Sequence, residues 1–271
     1  MDIDISRTKH IHIMNQFLIF DNQTELENDL KSFRERSVKA KSIFEIRGIL
    51  KSTALKFVSQ HHYLGDAKFF SKFSFGLFHK SSDTLCGVTT FSNPQGAVTM
   101  KGWFGLTNQD QSVLELSRLC VLPSLNGTNA TSYLLGQSIR FLKKENIRAV
   151  ITLADNSRHN GSIYQVCNFK YYGLSNPKSD FFSYDGDGKF TKNFRGKTSQ
   201  HDGVWLPRTR KHRYAYIIDP SLQCNYTEQL NPKKSDFESY NCICEDEKVF
   251  DKRFGQYYSC PNCTGQLVKI Q

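Results

Sequence analysis

Apolar and polar positions change period several times along the chain, and those changes mark out its elements. Residues 1 to about 40 hold one apolar run, Ile11 to Phe20, and then a charged amphipathic stretch, Thr24 to Lys41, with helical spacing. From Phe44 the order is clearer. A strand Phe44-Glu-Ile-Arg-Gly-Ile-Leu50 precedes a helix from Ser52 to about Tyr63. Strands Phe73 to Phe78 and Leu85 to Phe91 flank the polar turn His79-Lys-Ser-Ser-Asp-Thr84, a hairpin signal. Leu114 to Val121 reads as a strand, Thr131 to Glu145 as a helix, Arg148 to Ala154 as a strand and Ser157 to Asn168 as a helix. Strands Tyr171 to Leu174 and Arg213 to Ile218 close the series.

Within this order lies a βαβ unit. Leu135, Ile139 and Leu142 recur at helical spacing and form the stripe of a helix packed on a sheet. The next strand, Ala149-Val-Ile-Thr-Leu-Ala154, is almost continuously apolar, as suits a parallel strand covered on both faces. The strand before the helix slips in phase: Leu114 and Leu116 share one face, but strict alternation throws Leu119 and Val121 onto the other. One inserted residue around Ser117-Arg118, a β-bulge, repairs the phase. A bulge bends strands apart, so this parallel pair is expected to splay and open a cleft for an extended ligand. The turn that follows, Pro123-Ser-Leu-Asn-Gly-Thr-Asn-Ala130, runs into a helix N-terminus, where free N–H groups favour a phosphate. It lacks the glycine and lysine pattern of a nucleotide-hydrolysing P-loop.

Length and composition bound the rest. The 271 residues suit one large domain or a domain with an appendage, and 38% hydrophobic content belongs to a folded chain. No apolar run is long enough to span a membrane, and acidic residues stand where a signal peptide would be positive. A soluble cytoplasmic protein without a membrane partner is the expectation. The net charge of +10 suggests a polyanionic partner, and its distribution says more than its size. Lys189, Lys192, Arg195, Lys197, Arg208, Arg210, Lys211 and Arg213 are opposed in that stretch by Asp202 alone. Phe190, Phe194, Trp205 and His212 lie among them. Cations interleaved with stacking side chains suit a DNA-binding surface; the plain alternative is a solvated basic loop, largely irregular because Gly, Ser, Thr and Asn are dense here.

Cys86, Cys120 and Cys167 sit in apolar runs as small buried hydrophobes. Cys242-x-Cys244 and Cys260-Pro-Asn-Cys263 form two close pairs separated by a hairpin-length segment, the pattern of four thiolates around a structural zinc, with Cys224 as a spare ligand. A module this small needs metal to supply its folding energy. The domain reading is therefore an N-terminal extension over 1–43, a main α/β domain over 44–219 and a zinc-ribbon-like module over 220–271.

The order strand, helix, hairpin, bulged strand, anion-binding turn, helix, strand, helix, strand, strand is similar to the Gcn5-related N-acetyltransferase (GNAT) fold: a mixed central sheet with a bulged, splayed parallel pair that holds acetyl-CoA. The pyrophosphate loop of that fold usually carries several spaced glycines, and here Gly127 stands alone. Closer likeness lies in particular strings. His61-His-Tyr-Leu-Gly65, Glu115-Leu-Ser-Arg-Leu119, Ser132-Tyr-Leu-Leu-Gly-Gln-Ser-Ile-Arg140, Ala154-Asp155, Gly161-Ser-Ile-Tyr-Gln165 and Lys211-His-Arg-Tyr214 together resemble the phage Mom-like family. The resemblance covers about Phe44 to Asp219. It implies a bacteriophage anti-restriction enzyme, acyltransferase-like, that converts adenine in double-stranded DNA to a methylcarbamoyl derivative.

Adenine's exocyclic amine is a feeble nucleophile, so acyl transfer to it needs a positioned base, a polarised carbonyl and a base drawn out of the duplex. Arg118 is the candidate for cofactor or oxyanion binding, with a salt bridge to Glu115 as its plain alternative. Glu115 is the candidate base or polariser. Tyr164 falls where the acetyltransferase fold often keeps a general acid near the thioester sulfur. His62 and Tyr63 close the first helix of the domain, and Leu55, Val58 and His62 would share a face. The resemblance assigns acetyl-CoA, or a related acyl-CoA, to Leu119, Val121, Asn126, Gly127, Thr128, Asn129, Ala130 and Asn156. Trp103, Phe104 and Trp205 are candidates for stacking on an extruded adenine. Two other functions compete: an acetyltransferase of a protein or small molecule, marked by acetylation without DNA change, and a non-catalytic zinc-containing DNA-binding protein, marked by DNA binding without CoA binding.

Overall fold

The computed structural model describes residues 23–35, 38–62, 69–94, 97–107, 110–156, 160–176, 178–184, 190–192, 203–208, 210–232, 239–241, 250–251 and 268–269. Over 23–26, 97–98, 179–180, 182–184, 190–192, 203–208, 239–241, 250–251 and 268–269 the description is of backbone alone. The helices are α1 (Gln23–Glu35), α2 (Ala40–Ile43), α3 (Lys51–His61), α4 (Ala97–Phe104), α5 (Ala130–Leu142) and α6 (Ser162–Val166). The strands are β1 (Phe44–Gly48), β2 (Phe73–His79), β3 (Leu85–Ser92), β4 (Val113–Val121), β5 (Ala149–Asp155), β6 (Lys170–Leu174), β7 (Lys178–Tyr184), β8 (Phe190–Lys192), β9 (Gly203–Arg208), β10 (Lys211–Ile217), β11 (Ser239–Asn241), β12 (Phe250–Asp251) and β13 (Val268–Lys269). The chain is thus a mixed α/β protein. Its main sheet has seven strands hydrogen-bonded in the order β1-β2-β3-β4-β5-β10-β6 and is mostly antiparallel, with β4 and β5 parallel. Among the described residues no helix is long and apolar enough to cross a membrane.

The chain forms two compact units, the first made of Met1–Thr152, Val166–Phe169 and Ala215–Tyr226, the second of Leu153–Gln165, Lys170–Tyr214 and Thr227–Gln271. In the first unit two apolar clusters cover opposite faces of the β1–β4 sheet. One gathers Leu30 and Phe33 of α1, Ala40 of α2, Phe44, Leu77, Cys86, Val121 and Leu125 with Ala130 and Leu134 of α5. The other packs Ala54, Phe57 and Val58 of α3 on Phe69, Phe78, Leu85, Val88 and Cys120. Burying one such side chain stabilises the fold by roughly 1.5–3 kcal/mol, so these clusters dominate the unit. Burial pushes the Cys86 thiol up to about 12 and those of Cys120 and Cys167 to about 11, the inert chemistry expected of thiols used as hydrophobes.

The second unit holds an antiparallel sheet in the order β8-β7-β9, with Phe181 opposite Trp205, and a small sheet in the order β12-β11-β13. Within the basic stretch from Lys189 to Arg213 the described residues include the short strands β8 and β9 and the start of β10; β8 pairs with the strand just before it, Tyr184 opposite Phe190, and β9 pairs with β7 from Lys178↔Arg208 to Ser183↔Gly203. The helix expected from Ser157 to Asn168 is shorter, Ser162–Val166, and the amphipathic stretch from Thr24 to Lys41 gives α1 and then a separate α2. Helix α4 had no clear apolar stripe. It is fixed by its partners: Trp103 is buried with its ring 5.1 Å from that of Tyr226, and Asn225 N–H donates to Trp103 O.

Candidate functional site

Strand β4 carries the first group of candidate residues, and its geometry follows from one extra residue. Thr90 lies opposite Arg118 and Phe91 opposite Leu116, so Ser117 has no partner of its own on β3. The bulge falls where the hydrophobic phase slips. It restores Leu119 and Val121 to the α5 side of the sheet, where both pack into the cluster around Leu134. A one-residue insertion is what such a repair requires. Ser117 Oγ pairs with Ser92 Oγ at 2.7 Å, and Arg118 donates from a guanidinium N–H to Ser117 O at 2.7 Å. Pairing of β4 with β5 runs from Val113↔Ala149 to Glu115↔Ile151 and ends there, immediately before the bulge.

The α3 face of β4 therefore presents Glu115, Arg118 and Cys120. Glu115 and Arg118 are half-buried, and the Arg118 guanidinium lies 5.3 Å from the Phe69 ring centroid, a cation–π contact on a buried ring. Across from it, alternation from Val88 places Thr90 on the same face. Thr89 and Thr90 are both fully buried, and their Oγ1 atoms have no hydrogen-bond partner among the described residues. A buried hydroxyl normally has one. Sequence reasoning missed both threonines and Phe69, since Thr-Thr inside an apolar run reads as ordinary strand composition.

Beyond β4, a 3-10 turn at Pro123–Leu125 leads to Gly127, whose φ of +80° is backbone that an L side chain resists. A Cβ at Gly127 would meet nothing within 4 Å, so the glycine serves the turn and leaves open space beside it. Thr128 Oγ1 accepts from Ala130 N–H at 3.2 Å and Asn129 O accepts from Tyr133 N–H at 3.0 Å. Between them the N–H groups of Thr131 and Ser132 have no carbonyl within the helix to reach. Asn126, Gly127 and Asn129 are exposed, Thr128 is half-buried and Ala130 is buried. A helix N-terminus with such unmatched N–H groups, preceded by an exposed turn with open space at Gly127, fits the pyrophosphate of a CoA-type cofactor. Leu119 and Val121 send their side chains into the core, which leaves their backbone for such a ligand.

His62 is half-buried and already outside α3: its backbone is extended, and its N–H donates to Val58 O at 2.9 Å. The expected stripe Leu55, Val58, His62 does not form, because Val58 is buried, Leu55 is exposed and the helix stops at His61. Burial holds the His61 imidazole below its ordinary value. Tyr63 lies outside the described residues, as do Lys189, Arg195, Lys197, Cys242, Cys244, Cys260 and Cys263. The backbone alone is described at Lys192, Trp205 and Arg208. Among the described residues no His, Cys, Asp and Glu side chains cluster for a metal. Trp103 and Phe104, candidates for base stacking, are buried at 3% and 7% exposure.

The second unit has a polar aromatic cluster of its own. Tyr164 is buried on α6 with its ring 5.4 Å from that of Tyr214 on β10. The Tyr214 hydroxyl donates to Asn160 O and accepts from Gln165 Nε2 at 3.0 Å, so one phenol ties both ends of the α6 segment. Burial pushes that phenol up to about 12. Gly161, at φ +75°, closes the same contact: a Cβ there would overlap the Tyr214 ring. On β10 the fully buried His212 bonds the Tyr171 hydroxyl through Nδ1 at 2.9 Å. Two strings far apart in sequence, Gly161-Ser-Ile-Tyr-Gln165 and Lys211-His-Arg-Tyr214, thus meet in one cluster. Tyr214, Gln165 and Asn160 were not legible as a set, because nothing in either string specifies its partner.

Asn156, fully buried after β5, donates its N–H to Arg210 O at 3.2 Å. Arg210 Nε donates to Ser175 O at 2.6 Å, Lys211 pairs with Asp155, and Arg213 donates to Leu174 O at 2.9 Å. These three basic side chains are half-buried and engaged with the ends of β5 and β6.

The first unit thus combines a bulged fourth strand, a carboxylate and a guanidinium on one face of that bulge, and a glycine-containing turn that leads into a helix N-terminus. The chain belongs to the Mom protein family, whose model matches residues 43–235. Among solved structures it is similar to the ribosomal-protein-S18-alanine N-acetyltransferase of Escherichia coli, at 11% identity and a TM-score of 0.42 over 68% of this chain and 100% of that one. It is also similar to an N-acetyltransferase from Staphylococcus aureus Mu50, at 15% identity and a TM-score of 0.41 over 65% and 99%. A third is the GNAT family N-acetyltransferase YhbS of Escherichia coli in complex with CoA, at 17% identity and a TM-score of 0.36 over 47% and 69%. At these identities and scores the likeness fixes neither activity nor cofactor. No curated protein matches this sequence.

Proposed function

We propose that this protein is a DNA-modifying enzyme of the acyltransferase type, acting on adenine in double-stranded DNA and drawing its acyl group from acetyl-CoA or a related thioester. Membership of the Mom family favours that substrate, and the observation that carries the reading is the Ser117 bulge. It sets Glu115 and Arg118 on one face of a strand whose pairing with β5 ends at Glu115. Acyl transfer joins the adenine N6 nitrogen to the thioester carbonyl, breaks the carbon–sulfur bond, and moves a proton from nitrogen and another to the departing thiolate. Glu115 is suited to take the first proton. Arg118 is suited to hold developing negative charge on the carbonyl oxygen, where a fixed cation in a water-poor setting is worth several kcal/mol.

Tyr164 is suited to protonate the thiolate, and His62 and Tyr63 belong to the same reading as candidates from the family string. When bound, the cofactor supplies the activated acyl group. The backbone of Leu119 and Val121, the turn from Asn126 to Ala130, and Asn156 are its proposed binding residues. Lys189, Lys192, Arg195, Lys197, Arg208, Arg210, Lys211 and Arg213 are the proposed DNA contacts. Cys242, Cys244, Cys260 and Cys263 are the proposed ligands of a structural zinc.

Nucleoside mass spectrometry on plasmid DNA from cells expressing the protein tests the reading, with Arg118→Ala and Tyr164→Phe alongside. The expected result is a deoxyadenosine that carries the transferred acyl group on N6 and that falls at least about a hundredfold in either variant; a product of methylcarbamoyl type, which holds a nitrogen that acetyl-CoA does not supply, would identify the donor as a related thioester that already bears it. Unmodified DNA from folded wild-type protein would overturn it, and acetylated peptide or amine without DNA change would replace it with the acetyltransferase alternative.

A further inference from the structure

In the first unit the Phe70 side chain is 68% exposed. It follows Phe69, the buried ring on which the Arg118 guanidinium rests. The Lys51 ammonium lies 5.8 Å from the Phe70 ring centroid, and Lys72, two residues on, is exposed and reaches Gln111 Oε1 at 3.1 Å. Leu50 just before α3 and Leu55 in its second turn are exposed too, at 42% and 37%, as is Lys56. Helix α3, Lys-Ser-Thr-Ala-Leu-Lys-Phe-Val-Ser-Gln-His, contains no acidic residue. Phe70 thus stands exposed beside a cation from a helix without acidic residues, one residue from a ring that contacts a proposed catalytic side chain.

We propose that Phe70 is a stacking platform for a nucleobase of the DNA substrate, with Lys51 and Lys72 against the flanking phosphates. The proposal rests on the DNA-modification reading and adds to it where an unstacked base is received. An exposed flat ring with the Lys51 ammonium beside it, and Lys72 two residues on along the chain, suits a base, whose face is apolar and whose backbone is anionic on both sides. A purely apolar partner would leave Lys51 and Lys72 to be desolvated without compensation. An acidic protein surface would satisfy the charges but has no flat group for Phe70. The aromatic side chains whose burial withdraws them from stacking, Trp103 and Phe104, leave this role open in the first unit.

The test is fluorescence anisotropy of the full chain with two labelled duplexes, one perfectly paired and one with a single unpaired adenine. The variants are Phe70→Ala, Phe70→Trp, Lys51→Ala and, as an exposed apolar control, Leu230→Ala. Phe70→Ala is expected to weaken binding to the unpaired-adenine duplex about tenfold or more, as loss of one base–aromatic stack does, with a smaller loss on the perfect duplex. Phe70→Trp keeps the affinity, Lys51→Ala flattens the salt dependence by about one unit of slope, and Leu230→Ala changes nothing. Wild-type binding to DNA with Phe70→Ala indistinguishable from it would overturn the stacking role and leave the DNA reading standing. Failure of the wild type to bind either duplex would overturn both. Equal losses on the two duplexes, or loss in Phe70→Trp as large as in Phe70→Ala, would also overturn the stacking role.

Discussion

The first unit is held by side chains that fit into two apolar clusters on either face of β1–β4, and its candidate residues are set by the register of one bulged strand. The second unit places its candidate tyrosine through hydrogen bonds: Tyr214 to Asn160 and Gln165, Tyr171 to His212, Lys211 to Asp155. The difference is instructive because packing tolerates small changes in shape while register does not, and a buried polar network tolerates changes in shape while loss of one partner strands another. The two groups should therefore fail in different ways.

The largest effect is expected from deletion of Ser117. It removes the unpaired residue, so Arg118 follows Leu116 directly, the ladder with β3 becomes regular and Leu119 and Val121 stay on the α5 face. The fold is expected to survive with a loss of about 1–2 kcal/mol, while DNA modification falls at least about a hundredfold because β4 is no longer bent beside Glu115 and Arg118. Urea unfolding followed by circular dichroism and nucleoside analysis on the same variant check both, and unchanged modification would mean that the bulge does not shape the site. Gly161→Ala comes next. The left-handed backbone and the overlap with the Tyr214 ring together cost roughly 2–3 kcal/mol, and DNA modification should fall with stability if Tyr164 depends on this clamp. Thermal unfolding and nucleoside analysis on the same preparation separate the two.

Tyr214→Phe is the mildest, at about 1–2 kcal/mol for hydrogen bonds lost in a buried setting. A near-neutral result would show the second unit to be held by packing as the first is. It also carries a pH signature. Burial raises the phenol in the folded state from 10.0 to about 12, so its stabilising contribution is present below pH 10 and is lost as pH rises toward 12. The phenolate absorbance of the wild type should retain a step near pH 12 that the variant lacks.

How much of this was legible beforehand divides along the same line. The β1–β5 order and the bulge could be read because a phase slip in an alternating strand has few physical solutions, and Ser117 is the one adopted. The turn from β4 into α5 could be read because a polar, glycine-containing segment before an apolar helical stripe is a local signal. The strands β7, β8 and β9 could not, since β8 is only three residues long, β9 pairs back to β7 past β8, and Ser and Thr within them speak for turns. The meeting of Tyr164 with Tyr214 was invisible for a related reason: both strings stood out, but their contact is made by the fold.

The division of the chain into units has its own result for how the molecule is made. The first unit takes in Val166–Phe169 and Ala215–Tyr226 as well as everything up to Thr152, so the chain leaves it and returns twice. Arg148 holds the last return, accepting the N–H groups of Ile218 and Asp219 on its carbonyl and binding the Asp219 carboxylate at 2.8 Å. A ribosome must therefore deliver most of the second unit before the first can close. A chain cut at Thr152 lacks two segments of the first unit, and neither unit is a module that recombination could transplant as one continuous stretch of gene.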